Sequence, residues 1–103
     1  MLVGHSMGAA QAVGAAQTTP TRFAAVAALG GGGSIRSVPD LANVPFFVGI
    51  GSDDFALSGA RKLADSLRRA KVKNVQFQEY DHVEHLAIVQ IALGDVFRFF
   101  DQP

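Results

Sequence analysis

The sequence contains no cysteine and has no excess of charge of either sign. Without thiols, the chain can form neither disulfides nor thiolate-bound metal sites. Nine Lys and Arg balance nine Asp and Glu, so the formal net charge is zero. A nucleic-acid-binding surface needs a basic footprint, and this balance therefore argues against such a partner.

Long apolar runs and metal-ligand patterns are also missing. No stretch approaches the ~20 apolar residues that cross a bilayer, so we expect no membrane span. Met1 leads directly into a strand, with no basic segment of the kind that begins a signal peptide. The spacing of His5, His82 and His85 does not match a pattern such as H-E-x-x-H. We therefore expect neither a metal nor another cofactor.

The apolar content is high for so short a chain. Hydrophobic residues make up 49% of the 103 residues, and charged residues only 17%. A small domain normally buries a smaller share of its surface than a large one does. This apolarity suggests that residues 1–103 form one part of a larger core.

A strand, a turn and a helix are combined in the first residues of the chain. The strand ends at Val3, G-x-S-x-G occupies residues 4–8, and good helix formers follow from Ala9. In this context the motif predicts a nucleophile elbow, which holds the Ser6 Oγ above the edge of a sheet. The N–H of Met7 would then face the oxyanion, and both glycines would avoid collisions with the strand or the helix. A Gly/Ser-rich loop that matches by chance is the alternative.

Strand and helix patterns alternate along the chain. Strands are expected over residues 2–3, 23–29, 44–50 and 74–80, and helices over residues 7–17, 58–70 and 86–100. The continuous apolar runs are typical of parallel strands buried on both faces, and the alternation in 74–80 indicates an edge strand. Gly94 predicts a kink or break in the last helix. This order predicts an α/β fold with a mostly parallel sheet of about four strands and flanking helices.

The glycine run at residues 30–33 predicts a flexible loop and not a phosphate-binding loop. No G-K-[ST] follows it, and Ile35 stands where G-x-G-x-x-G would need its third glycine. The segment 34–43 is too short to contain a lid domain, so we expect an open active site.

Four segments of the sequence resemble the C-terminal half of an α/β-hydrolase. They are G-H-S-M-G at 4–8, F-A-A-V-A at 23–27, V-P-F-F-V-G-I-G-S-D-D at 44–54 and E-H at 84–85. Within that fold the chain is similar to esterases without a cap domain, of the polyhydroxyalkanoate-depolymerase-like and feruloyl-esterase-like kinds, and to related serine peptidases. The resemblance implies a truncated α/β-hydrolase fold, in which residues 1–103 form the C-terminal portion of the domain and its N-terminal strands are missing. It also implies cleavage of small-molecule carboxylic esters through an acyl-enzyme.

A serine nucleophile needs a base, and that base needs an acid to orient it. In α/β-hydrolases these residues follow in the order Ser, Asp or Glu, His. The chain contains Ser6, then Asp53 or Asp54, then His82 or His85. These residues alone leave both choices open, and either aspartate could instead cap the following helix.

The resemblance favours one residue of each pair. The family's aspartate comes three residues after the glycine that closes the strand, which is Gly51 here, and this implies Asp54. The family's histidine directly precedes an apolar helix, which implies His85. His82 would then lie in an exposed loop, and His5 is expected to pack or hydrogen-bond locally.

One catalytic group is absent from the sequence. The second N–H of the oxyanion hole comes from a loop after an early strand in this fold, and this chain has no such segment. Loss of one such donor lowers the rate by about 10²–10³-fold. A non-catalytic fragment that needs another chain is therefore the competing hypothesis. We also expect self-association through an exposed sheet edge, with the apolar faces of strands 23–29 and 44–50 partly bare.

Overall fold

The computed structural model describes residues 2–33, 35, 40–83, 85 and 87–101. Its strands and helices are β1 (Leu2–His5), α1 (Met7–Thr18), β2 (Val26–Leu29), β3 (Phe46–Gly51), α2 (Leu57–Arg69), β4 (Val75–Tyr80) and α3 (Ile88–Phe100). Short 3₁₀ turns at Pro20–Arg22 and Leu41–Asn43 precede β2 and β3. No helix in these ranges is both long and apolar enough to cross a bilayer.

The four strands form one parallel sheet in the order β1-β2-β3-β4. Leu2 pairs with Val26, Val26 with Phe46, and Phe46 with Val75, so the strands start at the same level. The carboxyl ends of all four strands therefore meet at one edge, where sites in open α/β sheets form. The predicted α/β fold with four parallel strands and flanking helices is confirmed.

Both faces of the two central strands are covered by helices. Alternate residues of β2 and β3 pack on the two sides, because successive strand side chains point to opposite faces. Val26, Ala28, Phe46 and Val48 join a core cluster with α1 and α2. Ala27, Leu29 and Phe47 join a second cluster with α3.

The expectation that these strands have partly bare faces is wrong. Every residue of β2 and β3 is buried. The last helix of the chain, α3, folds back over the face that α1 and α2 leave uncovered, and its residues Ile88, Ala92 and Val96 are fully buried. The alanines of α1 let that helix lie close to the opposite face.

Several predicted boundaries differ from the structure. The predicted strand 23–29 is regular only over Val26–Leu29, because the 3₁₀ turn at Pro20–Arg22 delays its start. The last helix begins at Ile88 and runs through Gly94 without a break, so of the predicted kink or break the break is wrong and the kink stays a prediction. Glu84 and Leu86 lie outside the described residues. The edge position of β4 is confirmed, since it pairs with β3 alone among the described strands.

Candidate active site

Ser6 lies in the turn that joins β1 directly to α1. Its φ of 61° and ψ of −121° lie outside the regions that L-residues normally occupy. The turn is held from both sides: the Ser6 N–H donates to the Leu29 carbonyl at 2.9 Å, and the Ser6 carbonyl accepts the Ala9 N–H at 2.9 Å. A conformation of this kind costs about 1–3 kcal/mol and persists only where neighbouring structure imposes it.

The two glycines of the motif differ in what surrounds them. A Cβ on Gly4 would overlap the Gly8 carbonyl, so the close approach of strand and helix requires glycine there. A Cβ on Gly8 would meet no atom within 4 Å. The expectation that both glycines prevent collisions therefore holds only for Gly4, because the side of α1 at Gly8 is open.

The glycine run after β2 packs against this same turn. Gly30 and Gly31 are buried, where we expected a flexible loop. A Cβ on Gly31 would lie 2.7 Å from the Ser6 carbonyl. The glycines thus let the loop after β2 approach the backbone of the turn. Residues 34 and 36–39 lie outside the described residues, so the expectation of a short segment without a lid stays a prediction.

A continuous chain of hydrogen bonds joins Ser6, His85 and Asp54. The His85 Nε2 lies 2.7 Å from the Ser6 Oγ, and its Nδ1 lies 2.7 Å from the Asp54 Oδ2. The Asp54 side chain is fully buried, and the His85 side chain is 18% exposed. A carboxylate accepts hydrogen bonds only, so in neutral His85 the proton is on Nδ1 and Nε2 can accept from the serine hydroxyl.

Asp54 is held by its own backbone and by the start of α2. Its Oδ1 accepts the Ala56 N–H at 2.8 Å, and its N–H donates to the Gly51 carbonyl at 3.1 Å. Ala56 precedes the first residue of α2, and no side chain caps this helix, so the helix-capping alternative is wrong for Asp54. The Ala56 N–H and the His85 ring contact different oxygens of the carboxylate. Asp54 is the one buried charged residue in the part of the chain that the structure describes.

Asp53 and His82 form a separate, exposed pair. Their side chains are 57% and 92% exposed, and the His82 Nδ1 is 3.9 Å from the Asp53 Oδ2. His82 has a φ of 57°, and its N–H donates to the Ser52 Oγ at 2.9 Å. The structure thus brings Ser6, Asp54 and His85 together and leaves the alternative pair in solvent. The catalytic role of the three residues stays a prediction.

Two further side chains contact His85 and had no signal in the sequence. The His5 Nε2 lies 2.9 Å from the His85 carbonyl oxygen, and the two ring centroids are 5.2 Å apart. Phe55 is largely exposed, and its ring centroid lies 4.7 Å from that of His85. We expected His5 to pack or bond locally, but its partner is 80 positions away in the sequence.

No protein-family model and no curated sequence matches this chain. Solved structures do match it. A thermostable esterase is 28% identical, with a TM-score of 0.67 over 79% of this chain and 22% of its own. A ferulic acid esterase is 25% identical, with a TM-score of 0.77 over 95% of this chain and 51% of its own. Zea mays acyl-protein thioesterase 2 is 18% identical, with a TM-score of 0.72 over 95% of this chain and 55% of its own.

The four parallel strands and their helices match part of an α/β-hydrolase fold. These similar structures are esterases and a thioesterase, so the resemblance to esterases of this fold is confirmed. The chain spans about half the length of two of them and about a fifth of the third.

In an α/β-hydrolase, the N–H of the residue after the serine is one donor of the oxyanion hole. Met7 holds this position as the first residue of α1, where the helix N-terminus adds partial positive charge. Its role as an oxyanion donor stays a prediction. Within the described ranges, no group of His, Asp and Glu side chains is arranged to hold a metal ion.

Proposed function

We propose that this chain carries the catalytic residues of a serine hydrolase that cleaves carboxylic esters through an acyl-enzyme. The observation that carries the proposal is the hydrogen-bonded chain from the Ser6 Oγ through the His85 ring to the buried Asp54 carboxylate. The esterases among the similar structures support the same class of reaction. Ser6 is the nucleophile, His85 the general acid and base, and Asp54 the group that orients His85.

The reaction begins when the Ser6 Oγ attacks the ester carbonyl carbon and transfers its proton to the His85 Nε2. Asp54 stabilises the imidazolium, and the Met7 N–H donates to the oxyanion of the tetrahedral intermediate. Collapse of the intermediate breaks the bond to the alkoxide, which takes the proton from His85 and leaves as an alcohol. Water then attacks the acyl-serine with His85 again as the base, which releases the acid and restores Ser6.

A fluorophosphonate probe tests the nucleophile directly, because it reacts only with an activated serine. We expect the probe to label Ser6 and the Ser6→Ala variant to stay unlabelled. Ser58→Ala is the matched control, since Ser58 is an exposed serine of α2. Undiminished labelling of Ser6→Ala, or labelling mapped to another residue, would contradict the assignment.

A second candidate function is that of a non-catalytic fragment that works only with another chain. It is favoured by the length of the match, since the chain covers 51% of the ferulic acid esterase. The same probe separates the two functions when residues 1–103 are compared with an N-terminally extended protein. The enzyme proposal expects Ser6 labelling in the extended protein, and the fragment hypothesis expects labelling in neither form.

A further inference from the structure

His85 reaches Ser6 from a segment whose described residues belong to no helix or strand. The segment lies between the end of β4 at Tyr80 and the start of α3 at Ile88. Two contacts hold its first part: Val83 is buried against Gly51, and the His82 N–H bonds to Ser52. Both precede His85 in the chain, so they do not by themselves set the position of the His85 ring above the serine.

We infer that His5 is a positioning residue that holds the backbone of His85 and so sets the distance between its ring and Ser6. This inference rests on the proposed function. The His5 Nε2 lies 2.9 Å from the His85 carbonyl oxygen, and the two rings contact at a centroid distance of 5.2 Å. His5 directly precedes Ser6. The same turn of the chain therefore positions Ser6 and also holds the backbone of His85.

The hydrogen-bond partner of His5 determines which of its two ring nitrogens carries the proton. A carbonyl oxygen only accepts, so the His5 Nε2 carries the hydrogen in the neutral ring as well as in the charged one. In this arrangement Nε2 has no lone pair to offer as a base. The geometry therefore gives the two histidines beside Ser6 different tasks: His85 exchanges protons, and His5 is a fixed donor.

The His5 ring lies in a slot that Gly30 keeps open. Gly30 has a φ of 68°, and its N–H is anchored on the Gly49 carbonyl at 2.9 Å. A Cβ at this position would lie 3.1 Å from the His5 Cδ2 and 3.2 Å from its Nε2, and also 3.2 Å from the Ile88 Cγ2. The loop after β2 thus lies directly against the ring that bonds to the backbone of His85.

Two substitutions of His5 separate the effect of its hydrogen bond from the effect of its aromatic ring. His5→Gln keeps an N–H donor near the position of Nε2 but removes the ring. His5→Phe keeps a ring and leaves the His85 carbonyl without its donor. His82→Phe is the matched control, because it changes an exposed histidine of the same segment that holds His85. The readouts are the NMR resonance of the His85 Nδ1–H, thermal unfolding and the rate of fluorophosphonate labelling.

We expect His5→Phe to lose or broaden the His85 Nδ1–H resonance while the protein still unfolds cooperatively. Its labelling rate should fall by about 10- to 100-fold, since small displacements of a catalytic group cost rates of this size. His5→Gln should retain both the resonance and the rate, and His82→Phe should match the unsubstituted chain. A normal resonance and rate in His5→Phe would overturn the inference, as would an equal loss in a folded His5→Gln.

The inference can also be tested without a variant. The ¹⁵N shifts of the His5 ring in the unsubstituted chain should report a proton on Nε2, and a neutral ring protonated on Nδ1 would overturn it. This measurement stays decisive if His5→Phe fails to fold. It also needs no turnover, so absence of Ser6 labelling would count against the proposed function and not against the placement of His5.

Discussion

Among single residues, Asp53 and Asp54 show how far the surroundings of two identical neighbours can differ. Asp54 is buried and divides its oxygens between the His85 ring and the Ala56 N–H. Asp53 is more than half exposed, and its Oδ2 lies 3.9 Å from the Nδ1 of the exposed His82. Because a buried carboxylate must keep its partners, substitutions at the two positions should have very different effects.

We predict that Asp54→Asn and His85→Ala each lower ester turnover by about three to four powers of ten, because a serine, its base and the orienting acid act as a unit. Asp53→Asn and His82→Ala are the matched controls and should retain most of the turnover. Steady-state assays with a p-nitrophenyl ester measure the effect. A larger loss at Asp53 or His82 would show that the acid and the base are assigned to the wrong residues.

The backbone of Ser6 leads to a second prediction. Glycine adopts positive φ without a steric cost, whereas alanine keeps the Cβ that makes this conformation unfavourable. We expect Ser6→Gly to be more stable than Ser6→Ala by about 1 kcal/mol in chemical unfolding, although both lack the nucleophile. Equal stability would mean that the turn stores no strain at this residue.

At the scale of elements, the turn between β1 and α1 depends on one glycine of its motif and not on the other. Gly4→Ala should destabilise the protein by about 1–3 kcal/mol, because its Cβ would overlap the Gly8 carbonyl and force strand and helix apart. Gly8→Ala should leave the free energy of unfolding unchanged or raise it by up to about 1 kcal/mol, because alanine has a higher helix propensity than glycine. Urea unfolding of the two variants measures the difference. A loss of stability in Gly8→Ala alone would contradict the asymmetry.

A side-chain network links β4 to α3 and should respond to pH. The Tyr80 hydroxyl donates to the Asp95 Oδ2 at 2.6 Å, and Arg98 also contacts this carboxylate. The Tyr80 bond, followed by Arg98, lowers the pKa of Asp95. A lowered pKa means that the carboxylate stabilises the fold above its unfolded pKa of about 3.9, and that this contribution is lost as pH falls through the folded pKa.

We therefore expect Tyr80→Phe to lose less stability on acidification than the unsubstituted chain. Thermal unfolding at about pH 6 and about pH 2 measures the two losses, and the window follows from the lowered pKa of Asp95. Asp95→Asn should show a similarly small loss, because it removes the titrating group itself. An unchanged acid response in both variants would show that this network contributes nothing to the stability of the fold.

For the whole molecule, the faces and the edges of the sheet differ in whether they favour self-association. The faces of β2 and β3 are covered, so association through them is not expected. Among the described strands, β1 pairs only with β2, and Val3 is exposed. An open groove of about 380 Å³ lies beside it, lined by residues of β1 and α1. An unpaired strand edge with apolar side chains is a template for association.

We predict that the 103-residue chain self-associates through β1. Val3→Lys should shift the chain toward monomer, because a charge on an edge strand opposes pairing. Ile91→Lys is the matched control, since Ile91 on α3 is 49% exposed and Val3 is 43% exposed. Sedimentation velocity separates the outcomes. A monodisperse, unsubstituted monomer would contradict the prediction.

The sequence by itself was sufficient to predict the order of the strands and helices, the parallel sheet and the turn at Ser6. These features have local causes, since apolar runs, helical periodicity and glycine spacing act within a few residues of each other. The choice of Asp54 and His85 over their neighbours came from the family resemblance, because Asp53 and His82 have the same chemistry and almost the same place in the chain.

Only the tertiary structure decided which groups meet across the chain. The resemblance implied that Ser6, Asp54 and His85 act together, and the structure brings them within hydrogen-bond distance. The contact of His5 with the His85 backbone, across 80 positions, had no signal in the sequence. Packing likewise decided that α3 covers the second face of the sheet, that Gly4 is sterically required and that Gly8 is not. These outcomes depend on how strands and helices that are distant in the sequence pack against each other, which is a property of the whole fold.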